Sequence, residues 1–262
     1  MSNGRTHLMI PDTQVKDGVP MQHLEALGNY IVEKQPDVII NIGDHADMPS
    51  LSVYDKAGSK RMENARYTAD IEAARQGMER LLRPMKAYNA HQRKHKKRQY
   101  NPEMHLTLGN HENRINRAIN SDPVHLEGTI SVDHLGYEKD WTVHDFLEPV
   151  IVDGVAYCHY FVNPNGLTAH PVGGTVMTKL NNLKTSFSMG HQQKLQYGIA
   201  YDGVGKPLHG LVAGAFYMHD EEYLGAQSNQ QHWRGVVMKH EVRDGQYDPM
   251  FVSLDFLLEN YL

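Results

Sequence analysis

Asp37-Val-Ile-Ile-Asn-Ile-Gly-Asp-His-Ala-Asp47 is the stretch whose reading decides the fold. Its first half is a short, mostly β-branched apolar run, the pattern of a buried strand, and it stops at Gly43, where the backbone can turn sharply. Asp44 and Asp47 follow at once. In an α/β sheet ligands sit outside the carboxyl ends of the strands, so a buried strand that delivers two acids into a tight turn is placed to present chemistry.

The same pattern recurs three times. Thr6 to Ile10 leads into Pro11-Asp12-Thr13-Gln14, Met104 to Leu108 into Gly109-Asn110-His111-Glu112, and Thr185 to Met189 into Gly190-His191-Gln192-Gln193. One polar turn after one strand is ordinary. Four apolar strands that each end in Asp, Asn, His or Gln predict a shared centre, because these side chains carry the oxygen and imidazole donors that divalent cations take.

Asp12-x-Gln14, Gly43-Asp44-x-x-Asp47, Gly109-Asn110-His111-Glu112, a lone His159 at a strand end and Gly190-His191-x-Gln193 resemble the ordered motifs of the calcineurin-like metallophosphoesterases. That series reads D-x-H, G-D-x-x-D, G-N-H-D/E, H and G-H-x-H. The resemblance implies an α/β fold, a four-layer αββα sandwich of two mixed β-sheets flanked by helices. It also implies two divalent ions that hydrolyse a phosphoester: cations about 4 Å apart neutralise the phosphate and generate hydroxide near neutral pH.

By that resemblance Asp44 bridges the ions. The first would also take Asp12, Gln14 and Gln193, and the second Asn110, His159 and His191. His111 would protonate the leaving alkoxide or stabilise the transition state, with Asp47 holding its other nitrogen in the useful tautomer.

Three positions depart from the family pattern. Gln14 and Gln193 stand where imidazoles are usual; glutamine at the first also occurs in branches resembling manganese-dependent nucleotide-diphosphate hydrolases. A first site with oxygen or amide donors favours harder ions, so manganese is expected ahead of magnesium, zinc, iron or nickel, with the first ion labile and the second tightly held. His209 or His219 is an alternative to Gln193. Met48 follows Asp47 where the serine/threonine protein phosphatases carry a phosphate-gripping arginine. Arg114 is then either a phosphate contact or a plain surface-helix arginine.

Along the rest of the chain, a helix from Met21 to Lys34 carries Leu24, Leu27 and Ile31 on one face, making the first two strands parallel neighbours through a βαβ crossover. Residues 48–66 and 89–102 read as insertions or loops near the site, and Tyr67 to Tyr88 as a helix that Pro84 kinks or shortens. The basic run His91 to Arg98 (Arg93, Lys94, Lys96, Lys97, Arg98) is either a solvated helix end or a contact to a nucleic acid backbone. Val150 to His159 reads as a hairpin around Asp153-Gly154, Val176 to Leu183 as a helix, and Leu208 to Tyr217 as a strand. Gly235 to Val242 and Met250 to Leu257 read as a second hairpin. The apolar end of that hairpin, Phe251 to Leu258, could pair with a second copy or face the core, which leaves the oligomeric state open.

Composition sets the outer bounds. The 262 residues suit one domain, and the formal charge of −5 makes no electrostatic case for nucleic acid or an anionic membrane. No segment has the apolar length of a signal peptide or a membrane span, and the single cysteine, Cys158, reads as a small buried hydrophobe in a reducing compartment. A cytoplasmic enzyme is expected, a phosphodiesterase or nuclease acting on nucleotide, DNA or RNA. The alternatives are a phosphomonoesterase and a weakly catalytic metal-binding scaffold.

Overall fold

Successive side chains of a strand face opposite ways, and in this chain both faces of the early strands are apolar. Such strands need cover on two sides. In the computed structural model, which describes residues 4–53, 65–164, 166, 169–221 and 225–262, they receive it. Along β1 (Arg5–Ile10), Leu8 and Ile10 face one core and Met9 another, and along β2 (Val38–Asn41), Ile39 and Ile40 divide the same way.

The chain continues through α1 (Gln22–Lys34), between β1 and β2, then α2 (Tyr67–Lys94), β3 (Glu103–Thr107), α3 (Arg114–Ser121), α4 (Pro123–Leu126) and β4 (Thr142–His144). After β5 (Val150–Val152) and β6 (Val155–Tyr157) come α5 (Val176–Leu183), β7 (Phe187–Met189), β8 (Leu195–Tyr201) and β9 (Pro207–Ala213). It ends with α6 (Gly225–Asn229), β10 (Gly235–Arg243), β11 (Gln246–Ser253) and α7 (Leu254–Tyr261). One mixed sheet has the order β11-β10-β1-β2-β3-β4, the other β5-β6-β7-β9-β8.

Three cores make four layers. Leu24, Leu27 and Ile31 of α1, Leu81 of α2 and Leu257 of α7 pack on Leu8, Ile10, Ile39 and Leu106 of the first sheet. Between the sheets, Met9, Val38, Ile40 and Ile42 meet Val155, Tyr157, Leu211 and Ala213. Outside the second sheet, Ala156, Cys158, Phe187 and Val212 pack against Val176 and Leu180 of α5. Each fully buried aliphatic side chain contributes roughly 1.5–3 kcal/mol. The αββα sandwich follows from this alternation, and β1, β2 and β3 run parallel with their carboxyl ends at one edge.

Two expectations about elements are corrected. Pro84 neither ends nor shortens α2, which runs ten residues further to Lys94, so residues 89–94 are helix and not loop. The helices α1 and α2 cross at this point: a Cβ at Gly28 would lie 2.5 Å from Leu81 O and 2.8 Å from Pro84 Cγ. Buried Leu81, Leu82 and Met85 hold the helix together across the hydrogen bond that proline cannot donate. The second correction is at the end of the chain, where the strand stops at Ser253. Its Oγ accepts the backbone N–H of Phe256 at 3.2 Å, which caps α7. Leu257 is therefore helical and buried against α1, not part of a strand.

The strands β4 and β8 were not anticipated; β4 has three residues, and β8 is a half-exposed edge interrupted by Gly198. Of the expected insertion at 48–66, residues Pro49–Leu51 form one 3₁₀ turn, and 54–64 lie outside the described residues. No helix among the described residues is long and apolar enough to cross a membrane.

Candidate functional site

Five strand ends meet at one edge of the sandwich: β1 runs into Asp12, β2 into Asp44, β3 into Asn110 and His111, β6 into His159, and β7 into His191. Parallel pairing sets the first three side by side, and backbone bonds lock the turns together, with Gln14 N–H donating to Asp44 O at 2.9 Å and Val15 N–H to His45 O at 2.7 Å. The motif glycines are there because carboxylates fill the space a side chain would take. A Cβ at Gly109 would collide with Asp44 Oδ1, and one at Gly190 with Asp12 Oδ1. Gln14, Asp44, Met48, His191 and Gln193 all have positive φ, between 40° and 66°. For non-glycine residues this is an unusual concentration of strain, on the order of 1–3 kcal/mol each, of the kind that clusters at functional sites.

Donor atoms converge at the centre. The Nδ1–H of His159 donates to Ile42 O at 3.0 Å, which turns Nε2 inward, 3.2 Å from Asp44 Oδ2 and 2.9 Å from Asn110 Oδ1. His191 Nδ1 is 2.8 Å from the same Asn110 oxygen. Asp44, His159 and His191 each offer a ligand atom within 4.8 Å of the others, so this trio could hold a metal ion. Ring N–H groups can satisfy these contacts, and with the rings deprotonated the same atoms converge as ligands for a cation.

Asp12 accepts the His191 N–H on both oxygens, at 3.0 and 3.1 Å. The Oε1 atom of Gln14 is buried with no hydrogen-bond partner, an orphan acceptor that a cation would satisfy. The donor set therefore fits divalent ions.

The charges are strongly coupled. Burial opposes ionisation of Asp44, but His111 and His159 outweigh it and hold its pKa far below the usual carboxylate range. The reciprocal holds for His159, which burial would lower and which Asp44 pushes up to about 9. Burial lifts Asp12 and, with the neighbouring His159, lowers His191 to about 4.

A second group stands beside this centre. His111 Nδ1 is 2.7 Å from Asp47 Oδ1, Arg114 Nη2 donates to its Nε2 at 3.3 Å, and that nitrogen lies 3.7 Å from Asp44 Oδ2. Burial disfavours a charge on His111, but Asp44 and Asp47 together raise its pKa. Glu112 braces the arrangement: its fully buried carboxylate accepts the N–H groups of Asp44, Ala46 and Gly109 at 2.8–3.0 Å, binding the second turn to the third.

The turns enclose a cavity of about 210 Å³ lined by Gln14, Asp44, Asn110, His111, His191, Gln192, Gln193 and His232. Asp12, Asp47 and His159 stand directly behind this lining, in contact with it through the bonds above. Arg114 is not a surface arginine. It is nine-tenths buried and donates to the backbone oxygens of Asp47 and Met48, at 2.8 and 3.2 Å.

The basic run is not brought to the site. Arg93 and Lys94 end α2, and Lys96, Lys97 and Arg98 follow at the amino end of β3, where Glu103 N–H bonds Asp37 O; Asn110 is at the other end of that strand. Neither alternative to Gln193 lines the cavity. His209 bonds Tyr197 and lies near Ser186, at the far end of the second sheet, and His219 pairs with Glu221 at 2.9 Å.

Sequence reasoning missed Lys16. Its Nζ bonds Asp47 Oδ2 at 2.8 Å and Glu221 at 3.1 Å. It also missed Tyr217 and His232: the Tyr217 hydroxyl donates to Gln193 Oε1 at 2.9 Å and is 2.8 Å from His232 Nδ1. The stretch around His232 carries no strand-and-turn motif that would have flagged it.

No family model matches the chain, and no curated protein matches it. One similar solved structure aligns over 95% of this chain and 100% of its own length, with 12% identity and a TM-score of 0.35. At that score the likeness supports neither fold nor function.

Proposed function

We propose that this chain is a metal-dependent phosphoester hydrolase of the calcineurin-like type, acting on a diester. The observation that carries the reading is the convergence of Asp44, His159, His191 and Asn110 donor atoms on one point, with His111 held by Asp47 beside it. In this proposal the second ion is held by Asp44, Asn110, His159 and His191, and the first by Asp12, Gln14, Asp44 and Gln193. Manganese suits the oxygen-rich first site best. Divalent ions held by these residues would supply charge neutralisation of the ester and a more acidic water.

The chain's own residues do the rest. Asp47 fixes the Nδ1–H tautomer of His111, so that Nε2 faces the cavity and, once protonated, delivers that proton to the leaving oxygen. Arg114 and Lys16 hold Asp47 in place. Among the described residues lining the cavity there is no lysine or arginine, which suits a monoanionic diester better than a dianionic monoester. With the basic run at the other end of β3, nucleotides are favoured over long nucleic acid. A cytosolic setting belongs to the same proposal, on the single buried Cys158.

The test is hydrolysis of bis-p-nitrophenyl phosphate by metal-stripped protein refilled with Mn²⁺, Mg²⁺, Zn²⁺ or Ni²⁺, with p-nitrophenyl phosphate in parallel. Turnover restored best by Mn²⁺ and lost in Asp44→Asn supports the reading. Turnover that ignores metal, or that survives Asp44→Asn, overturns it.

A further inference from the structure

The helix α3 starts directly behind the Asn110-His111 turn and carries two arginines one turn apart, both of which reach back to the site. They are not equivalent. Arg114 is fully engaged, its fork donating to the backbone oxygens of Asp47 and Met48 and to His111 Nε2. Arg117 makes one side-chain hydrogen bond, a long contact from Nη2 to Asn110 O at 3.5 Å. Its Nε is buried with no partner, and among the described residues no carboxylate stands within ion-pair distance of it.

A guanidinium has five N–H donors, and a solvated surface arginine satisfies them with water. Here Nε is sealed from water and has nothing to donate to, which in a buried polar group calls for an explanation. The acids of the site do not supply one, because each is committed elsewhere. Glu112 accepts three backbone N–H groups, Asp47 takes His111 and Lys16, and Asp44 takes the His111 N–H and faces His159.

Arg117 stands at the rim of the site cavity. Asn110, its one contact, lines that cavity. A second neighbour is Tyr160, whose hydroxyl pKa burial raises and the charge of Arg117 holds back. The Tyr160 ring is 4.8 Å from that of His191, another lining residue. The guanidinium is not in the lining as it stands, but one long hydrogen bond is all that its rotation toward the cavity breaks.

An unpaired cation beside a cavity calls for an anion, and the planar fork of arginine matches the oxygens of a phosphoryl group. We infer that Arg117 is the residue that grips the substrate here, binding a phosphoryl oxygen of the ester from the Asn110 side. That the anion is a phosphoester rests on the reading above; that Arg117 takes an anion rests on its own geometry.

Inorganic phosphate is the probe, titrated into the full-length protein, metal-free and saturated with Mg²⁺ in parallel, while NMR follows the arginine Nε–H signals. The signal lost in Arg117→Lys is that of Arg117. It should move saturably with phosphate and stay still with chloride at equal ionic strength. By calorimetry, Arg117→Gln should bind phosphate about 10–100-fold more weakly. Arg117→Lys, which keeps the charge but not the fork, should lose less.

An Arg117 signal that ignores phosphate in both samples, or that chloride moves equally, overturns the inference, as does a phosphate affinity unchanged in Arg117→Gln. The two readings fail separately. Phosphate bound through Arg117 by a protein that hydrolyses no phosphoester keeps the anion site and loses the catalytic reading. Diester hydrolysis with phosphate affinity unchanged in Arg117→Gln does the reverse.

Discussion

Three groups hold the His111 ring: Asp47 on Nδ1, Arg114 on Nε2, and the backbone of its own turn, whose N–H donates to Asp44 Oδ1 at 2.9 Å. If His111 protonates the leaving group, His111→Ala should lower kcat on bis-p-nitrophenyl phosphate by about 10²–10⁴-fold and leave manganese retention unchanged; unaltered turnover would remove it from the chemistry. Gln14 tests the other half of the site. Its φ of 40° is one that histidine tolerates better than most residues, so Gln14→His can restore an imidazole without a new backbone. Metal counting after dialysis should then rise from about one retained ion per chain toward two. Two equally retained ions in the wild type would show that the first site is not labile. At this scale most of the site was legible, because Asp12, Asp44, Asn110, His111 and His191 each follow a strand that the apolar pattern reveals. Lys16 was not, since its partner Glu221 is far away along the chain, and His232 was not, since its partner Tyr217 and its own stretch carry no strand-and-turn motif.

Strands bounded by Gly-Asp or Gly-Asn announce themselves, and so the first three parallel strands, the hairpin at Asp153-Gly154 and α5 all lie where periodicity puts them. What propensity could not give was the course of α2. A proline reads as a breaker, yet here tertiary packing on Gly28 carries the helix past it. The basic run shows the first of its two readings: Arg93 and Lys94 close α2 as an exposed helix end, at the opposite end of β3 from Asn110. This crossing makes a stability prediction. Gly28→Ala puts a methyl 2.5 Å from Leu81 O, a backbone atom that cannot step aside. Urea unfolding should show a loss of roughly 1–3 kcal/mol, the usual cost of overpacking, although alanine favours helix. A gain of stability would mean that α1 and α2 can part without cost.

The four layers bury histidines as well as aliphatic side chains, and this couples the whole fold to pH. His7 is fully buried between the sheets, with Nδ1 2.8 Å from the Tyr157 hydroxyl and Nε2 2.8 Å from Asp153 Oδ2; burial, with the nearby Lys239, lowers its pKa to about 4 despite the carboxylate. His23 packs edge-on against Phe216 under the other core, and burial lowers it to about 3. An unfolded histidine titrates near 6.5, so between that pH and the folded values the unfolded chain binds protons that the native one refuses. Stability is thus intact above about pH 6.5 and falls as the pH drops toward 4, by up to about 1.4 kcal/mol per pH unit for each imidazole. The unfolding free energy from urea titrations should decline from pH 6.5 to 4.5, with His7, His23 and the similarly depressed His45 among the groups that drive it. His23→Leu, which keeps the contact with Phe216 and removes the titrating ring, should reduce the slope of that decline by about one proton without changing the pH dependence above neutrality. A slope unchanged in His23→Leu would mean that acid unfolds this protein through other groups, and would leave His23 as a packing residue only.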